Sequence, residues 1–282
     1  MLKSTPYADG AVTRFDLART ILGRGRYWTS AYLVDGLLID TGCAHTAPEL
    51  VSALSETVLD GIVNTHSHED HIGANGVLQR QRAGLTIRAH PLALPILADP
   101  RNEQPLQRYR RFMWGWPAPS HGRPIADGDL VETGRYRFRV LHTPGHSPDH
   151  VCLYEPAQGW LFTGDLFIGG QDRALGSRYD IWAIIASLKR IAALPATVLF
   201  PAAARVRENP AEALTEKIAY LEGLGEKILA LHERGWRVPK IVHELLGGPL
   251  PMGIEIATQG HFSRRWLVLS YLNSNQGENE KN

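Results

Sequence analysis

Cysteine is nearly absent from this sequence. Only Cys43 and Cys152 occur in 282 residues, which rules out a disulfide framework. The neutral expectation is a cytoplasmic chain with two reduced thiols. Long hydrophobic runs are also missing. No segment reaches the ~20 apolar residues of a membrane span, so no membrane partner is expected. The opening MLKSTPYADGAVTRFDLA has neither the apolar centre nor the small-residue cleavage site of a secretory signal. Neither sign of charge is in excess. Lys+Arg number 30 and Asp+Glu 29, a formal net charge of +1, which argues against nucleic acid as a partner. There is no internal repeat. What remains is an ordinary globular composition, 44% hydrophobic. A chain of this size buries roughly 75% of its unfolded surface and needs no covalent staple.

The first half of the chain reads as short strands alternating with helices. Residues 12–18, 28–34, 37–40, 60–65 and 85–89 carry strand patterns, and residues 47–58 and 74–82 read as helices. Residues 91–124, rich in proline, arginine and aromatics, predict a lid-like insertion or surface connection with one or two short helices. Strand character returns at 136–142, 150–154, 160–164 and 197–200, with a helix over 180–193 capped by Asp180. Asn209-Pro210-Ala211-Glu212 has the composition of a capping box with proline at the first helical position. It opens a helix to about Arg234, and further helices are expected at 238–246 and 260–273. Residues 276–282 are polar and expected to fray. The order fits a layered α/β sandwich over residues 1–205 and a helical extension over 206–282 packed on it.

The twelve histidines are unevenly placed. Thr65-His66-Ser67-His68-Glu69-Asp70-His71 sets three imidazoles and a carboxylate directly after an apolar strand. These donors suit Zn²⁺ and other divalent first-row metals, and a tight loop at a strand end can turn them toward one point. His146 follows a Pro144-Gly145 turn, and Asp165 follows Gly164 at the end of another apolar strand. Asp40 ends a fourth strand.

Over roughly residues 12–205 these motifs resemble the metallo-β-lactamase superfamily: Leu-Ile-Asp-Thr-Gly, His-x-His-x-Asp-His, Gly-His and Gly-Asp, in that order. The resemblance implies a four-layered αββα sandwich with metals at one edge of its two sheets. It also implies that His66, His68 and His146 form a first metal site, that Asp165 bridges two metals, and that Asp70 and His71 belong to a second site. The chain departs from the family after the last core strand. Ala203 stands in Leu199-Phe200-Pro201-Ala202-Ala203-Ala204, where the family carries a metal-binding His. One or two ions are therefore expected, Zn²⁺ first with Fe or Mn as alternatives, and the second site should be the weaker. Whether Ala203 marks a natural one-metal member or a replaced ligand stays open.

Among the remaining histidines, His90, His142 and His150 read as packing or supporting residues, while His261 is a candidate to reach the site from the tail. Trp114, Trp116, Arg110, Arg111 and Tyr179 are candidates to line an entrance for an acyl or anionic group. Cys43 lacks the surroundings of a nucleophile. The expected chemistry is hydrolysis of an acyl bond in a small-molecule substrate. A bound cation lowers the pKa of its water, and Asp70 orients that water or shuttles its proton. A thioester is favoured, with a lactone next. The alternatives are a short ribonuclease-like or phosphodiesterase member, and a ligand-binding or regulatory relative without turnover. A second class, nucleic-acid binding through a helix-turn-helix-like stretch at 235–247, conflicts with the neutral charge. A homo-oligomer remains open.

Overall fold

The computed structural model describes residues 1–273. The expected fraying at 276–282 lies outside the described residues. A first sheet contains β1 (Leu2–Tyr7), β2 (Val12–Ile21), β3 (Arg24–Val34), β4 (Leu37–Ile39), β5 (Gly61–Val63), β6 (Thr86–Ala89) and β7 (Gly122–Pro124), adjacent in that order. Its first four strands are antiparallel, and β4 to β7 run parallel. A second sheet takes β8 (Leu130–Glu132), β9 (Arg137–His142), β10 (Val151–Glu155), β11 (Trp160–Gly164), β13 (Val198–Pro201) and β14 (Arg207–Glu208), with β11 and β13 parallel. Two short strands, β12 (Leu175–Gly176) and β15 (Phe262–Ser263), pair separately.

Alternation along the strands builds the layers. On β4 and β5, Leu37, Ile39 and Val63 face the second sheet, where they meet Phe138, Val151, Phe162 and Phe200. Leu38 and Ile62 face the other way, onto Leu50, Leu54 and Leu78 of the layer formed by α1 (Ala47–Ala53), the turn after it and α2 (Asn75–Gln81). The outer face of the second sheet, Leu141, Cys152, Leu161 and Leu199, is covered by α6 (Ile181–Ala192). Asp180 caps α6, accepting from the Trp182 and Ala183 amides at 2.9 and 3.1 Å. Ile181, Ile185, Leu188 and Ile191 are buried there, each contributing roughly 1.5–3 kcal/mol before entropy is counted.

The tail shares that same outer layer. Helices α7 (Ala211–Glu233), α8 (Val238–Leu246) and α10 (Arg264–Asn273) bury Leu214, Leu221, Ile228, Ile241, Val242 and Leu267 in one cluster with α6. The helix-turn-helix-like stretch thus spends its apolar face on packing. The tail differs from the sequence expectation in two respects. Arg207–Glu208 continues the second sheet rather than opening the helical region, and β15 interrupts the stretch expected to be one helix from 260. A short α9 (Met252–Ala257), unread in the sequence, lies between them. At the start of α7, Asn209 makes no side-chain cap. It adopts a left-handed φ of 49°, and its amide donates to the Thr197 carbonyl at 2.7 Å. The insertion after β6 is richer than expected, with α3 (Leu94–Ala98), α4 (Pro100–Glu103) and α5 (Arg108–Trp114) before β7 rejoins the first sheet. Among the described residues no helix is long and apolar enough to cross a membrane.

Candidate metal centre

The parallel strands β4 and β5 end at the same edge, as do β11 and β13 of the second sheet, and the loops after them carry the polar residues. The loop after β5 is held from both sides. Asp149 accepts from the Ser67 amide at 2.7 Å, and Asp40 accepts from the Thr65 amide and hydroxyl, each at 2.7 Å. His66 Nε2 then lies 3.0 Å from His68 Nδ1, and His146 Nε2 lies 2.9 Å from that same atom. Nitrogens bound to one Zn²⁺ at 2.0–2.1 Å would stand roughly 3.3 Å apart at tetrahedral angles. The three-histidine separation is close to that. A second group, His66, His71 and Asp165, also brings its donor atoms within 4.8 Å of one another. Asp165 Oδ2 is 3.5 Å from both His71 Nε2 and His146 Nε2, so it stands between the two groups. Asp70 Oδ2 is 3.9 Å from His71 Nε2 and accepts from Thr29 Oγ1 at 3.0 Å.

Two glycines make this convergence possible. Gly145, before His146, has a φ of +133°, and a Cβ there would come within 2.4 Å of the Ile184 amide on α6. Gly164, before Asp165, has a φ of +47°, and a Cβ there would meet Thr65 Oγ1 at 2.7 Å and His150 Nε2 at 2.8 Å. In both places the strand end can approach its neighbour only without a side chain.

Hydrogen bonds select which ring nitrogens are free. The Thr65 hydroxyl donates to Asp40, so its oxygen accepts from His66 Nδ1–H at 3.0 Å and leaves the His66 Nε2 lone pair to the cluster. His71 Nδ1–H donates to Asp40 Oδ2 at 2.8 Å, the carboxylate–histidine arrangement that orients a ligand ring. His150 is already engaged. Its Nδ1–H donates to Thr143 Oγ1, whose own proton goes to Cys152 Sγ, and its Nε2 accepts from the Asp165 amide at 3.3 Å. It supports Asp165 and has no free nitrogen for a metal.

Burial holds the His66 and His68 imidazoles well below their usual range, and neighbouring imidazoles push the same way. His146 is also lowered by burial, against the pull of Asp165. His71 goes the other way. Burial lowers it, but Asp165, Asp40 and Asp70 together raise it well above the ordinary value. Asp165 is drawn down, because His71, His146 and His150 outweigh its desolvation. Two buried atoms of this cluster, His71 Nε2 and Asp165 Oδ1, have no hydrogen-bond partner. Neutral imidazoles with convergent lone pairs, a depressed carboxylate and buried polar atoms left without a partner are the donor set of a divalent cation, with His71 giving up its proton to join it.

The cluster forms the floor of a cavity of 590 Å³, within the ~300–1,000 Å³ of sites that enclose small organic ligands. His68, Asp70, His146 and Asp165 line it, as do Tyr179, His261, Trp114 and Arg110. His261 accordingly reaches the site from the tail, and burial lowers its imidazole to about 4. Ala203 lines the same cavity. The Ala202 amide donates to the Gly164 carbonyl at 2.9 Å and its carbonyl accepts from the Ser30 amide at 2.8 Å, which places the next residue at this edge. Trp116 does not line the cavity. The α5 helix stops at Gly115 with a φ of 76°, the chain turns away, and the Trp116 ring lies 5.9 Å from the Arg101 guanidinium. Arg111 is exposed on the far side of α5 and is likewise absent from the lining. His90 and His142 stack on each other with centroids 4.5 Å apart, outside the site. Cys43 and Cys152 are both buried and free, and burial raises both thiols.

Sequence reasoning missed most of the cavity wall, including Tyr27, Met113, Leu166, Leu175 and Ile254. It also missed Glu69 as a partner of Arg110. Arg110 Nε donates to Glu69 Oε1 at 2.7 Å and Nη2 donates to Oε2. Glu69 stands inside the histidine-rich run itself, and its charge at a buried loop was the one available signal. Burial pushes its carboxyl up while Arg110 opposes the rise, and the same contact raises Arg110 against its own burial. A guanidinium remains protonated and its fork satisfies both oxygens, so the pair is ionised.

The family model described as "Metallo-beta-lactamase superfamily" matches residues 25–203. The hydroxyacylglutathione hydrolase of Aliivibrio fischeri is 31% identical over 203 residues, 71% of this chain and 69% of that one. An atrochrysone carboxyl ACP thioesterase of Aspergillus fumigatus is 30% identical over 200 residues, 68% of this chain and 38% of that one. Other relatives are matched over less than two thirds of their length, 61% for an uncharacterized protein of Aquifex aeolicus and 43% for the hydroxyacylglutathione hydrolase of Maricaulis maris. Among solved structures, a metallo-beta-lactamase family protein of Thermus thermophilus superposes with a TM-score of 0.70 at 20% identity, covering 95% of this chain and 94% of that one. A protein solved in a di-iron-bound form superposes with a TM-score of 0.53 at 34% identity, covering 67% and 94%. With the family model spanning more than half of its length and the His–Asp cluster at the common edge of two sheets, the chain belongs to the metallo-beta-lactamase superfamily.

Proposed function

We propose that this protein is a metal-dependent hydrolase of acyl bonds, with thioesters preferred and lactones next. The observation that carries the reading is the convergence of His66, His68 and His146 on one point at the floor of a cavity, with Asp70 and Asp165 beside them. His66, His68 and His146 would hold one divalent ion, Zn²⁺ by the preference of nitrogen donors, with Fe or Mn as alternatives. His71, Asp165 and Asp70 would hold a second, more weakly, because Ala203 brings no donor. Such an ion supplies Lewis acidity toward a carbonyl oxygen and makes water acidic enough to react near neutral pH.

The chain's own groups do the rest. Asp70, fixed by Thr29, accepts the proton of the attacking water and returns one to the leaving group. Tyr179, whose ring centroid is 4.5 Å from that of His146, is kept protonated by burial and donates toward an oxygen that gains charge. The preference for thioesters is supported by the names of the hydroxyacylglutathione hydrolase and thioesterase relatives, at about 30% identity.

The test is a panel of thioesters, lactones and phosphodiesters given to the zinc-loaded protein and to His66→Ala. Thioester turnover that disappears in the variant is the expected result. Phosphodiester cleavage without acyl hydrolysis would overturn the reading in favour of a nuclease-like member. Binding of a thioester without any turnover would favour a regulatory relative.

A further inference from the structure

Above the His–Asp cluster most of the cavity wall is apolar, interrupted by the hydroxyl-bearing Tyr27, Tyr109, Tyr179 and Thr258. Met113 and Trp114 come from α5, Leu166 and Leu175 from the stretch after β11, Ile184 from α6 and Ile254 from α9. The two charged residues that line it away from the cluster are both already paired. Arg110 is held at two points by Glu69, which is fully buried. Asp172 is held at 2.8 Å by Lys217, itself 2% exposed, which also donates to the Gly170 carbonyl at 3.0 Å. His261 is neutral at physiological pH and lies 3.3 Å from the Ser177 hydroxyl. The wall therefore offers a ligand no free charge. At the rim, Ile168 and Ile254 line the cavity while remaining 44% and 46% exposed, so apolar surface continues out to the solvent.

An anionic ligand group would meet an Arg110 charge already balanced by Glu69, and would give up its hydration for the guanidinium N–H groups that the pair leaves over. An apolar chain has no such hydration to give up and gains the burial of each methylene. In biological thioesters the thiol carrier is polar and charged, so the apolar part is the acyl group.

We propose that this cavity selects thioesters with a long, uncharged, apolar acyl chain, seated between α5, α6 and α9 with its carbonyl carbon at the His–Asp cluster. The inference rests on the thioester reading above and adds the substrate class to it. Specificity comes from the insertion and the tail, which lie far apart in sequence and meet over the site.

The test is equilibrium binding, so that it stands apart from turnover. Neutral thioether analogues of increasing alkyl length are titrated by calorimetry into the full-length protein, beside thioethers of the same chains bearing a terminal carboxylate. Affinity is expected to rise by about fourfold per methylene until the cavity is filled. The terminal carboxylate should reduce it at least tenfold. Ile254→Glu, at a half-exposed wall position, should flatten the length dependence, whereas Ile256→Glu, 69% exposed on the same helix and outside the lining, should leave it unchanged. Affinity independent of chain length, or tighter binding of the carboxylate series, would overturn the proposal. If length-dependent binding is found but no thioester is cleaved, the hydrolase reading falls and the binding inference stands. If short or charged thioesters are cleaved without length dependence, the reverse holds.

Discussion

The two halves of the His–Asp cluster share one short loop and are opposite in electrostatic character. His66, His68 and His146 are neutral imidazoles whose lone pairs converge, and burial removes the protons that would compete for them. His71 is surrounded by Asp40, Asp70 and Asp165, and those carboxylates hold a proton on it. The first half is ready for a cation as it stands. The second must exchange a proton for one, and it faces Ala203 where another donor could be. Proximity in sequence therefore does not make these ligands equivalent. What separates them is the charge that the neighbouring strand ends bring up.

This difference can be broken at several points. The largest effect is expected from His146→Ala. It removes one of three converging donors, and the loss of even a supporting partner typically costs ~10–100-fold in metal affinity. Metal affinity of the three-histidine half should fall by more than about 100-fold, with hydrolysis lost, as read by metal content after dialysis and by turnover. Full metal retention would mean that the two halves are not separate.

Ala203→His acts on the other half. An added imidazole at the cavity edge should raise affinity for a second ion by roughly 10–100-fold and increase the rate, leaving the first ion unaffected. Competitive metal titration checks it. Two equally tight ions before and after the substitution would show that another residue already completes the second half.

The smallest effect is a difference in pH slope. His71 is raised, so it carries its proton through neutral pH, and metal uptake there must displace it. Affinity of the second half should climb by up to about tenfold per pH unit until the raised His71 value is passed, then level off. The three-histidine half, already deprotonated below the ordinary histidine range, should stay flat across the same interval. Equal slopes in a metal titration at several pH values would remove the electrostatic contrast.

Much of this layout is legible along the chain, for a local reason. The strand after which His66–His71 falls, the Gly145–His146 turn and the Gly164–Asp165 end are each encoded by a few adjacent residues. The start of α6 is encoded the same way, since Asp180 caps amides two and three positions away. Edge strands were not legible. β1 has little alternation, being mostly exposed, and exists through its ladder to β2. The Gly-Arg-Pro of β7 becomes a strand only beside β6. The expected Asn209 cap also failed, because a backbone bond to Thr197 fixes that residue in a left-handed conformation before the helix begins.

Which donors stand at strand ends follows from the order of residues along the chain, since ligand chemistry and turn geometry are properties of neighbouring residues. Tertiary structure alone decided the protonation of His71, the neutralisation of Arg110 by Glu69 and of Asp172 by Lys217, and the apolar wall above the metal centre. Each of these depends on side chains far apart in the chain, and on a low-dielectric interior that no local pattern of residues describes.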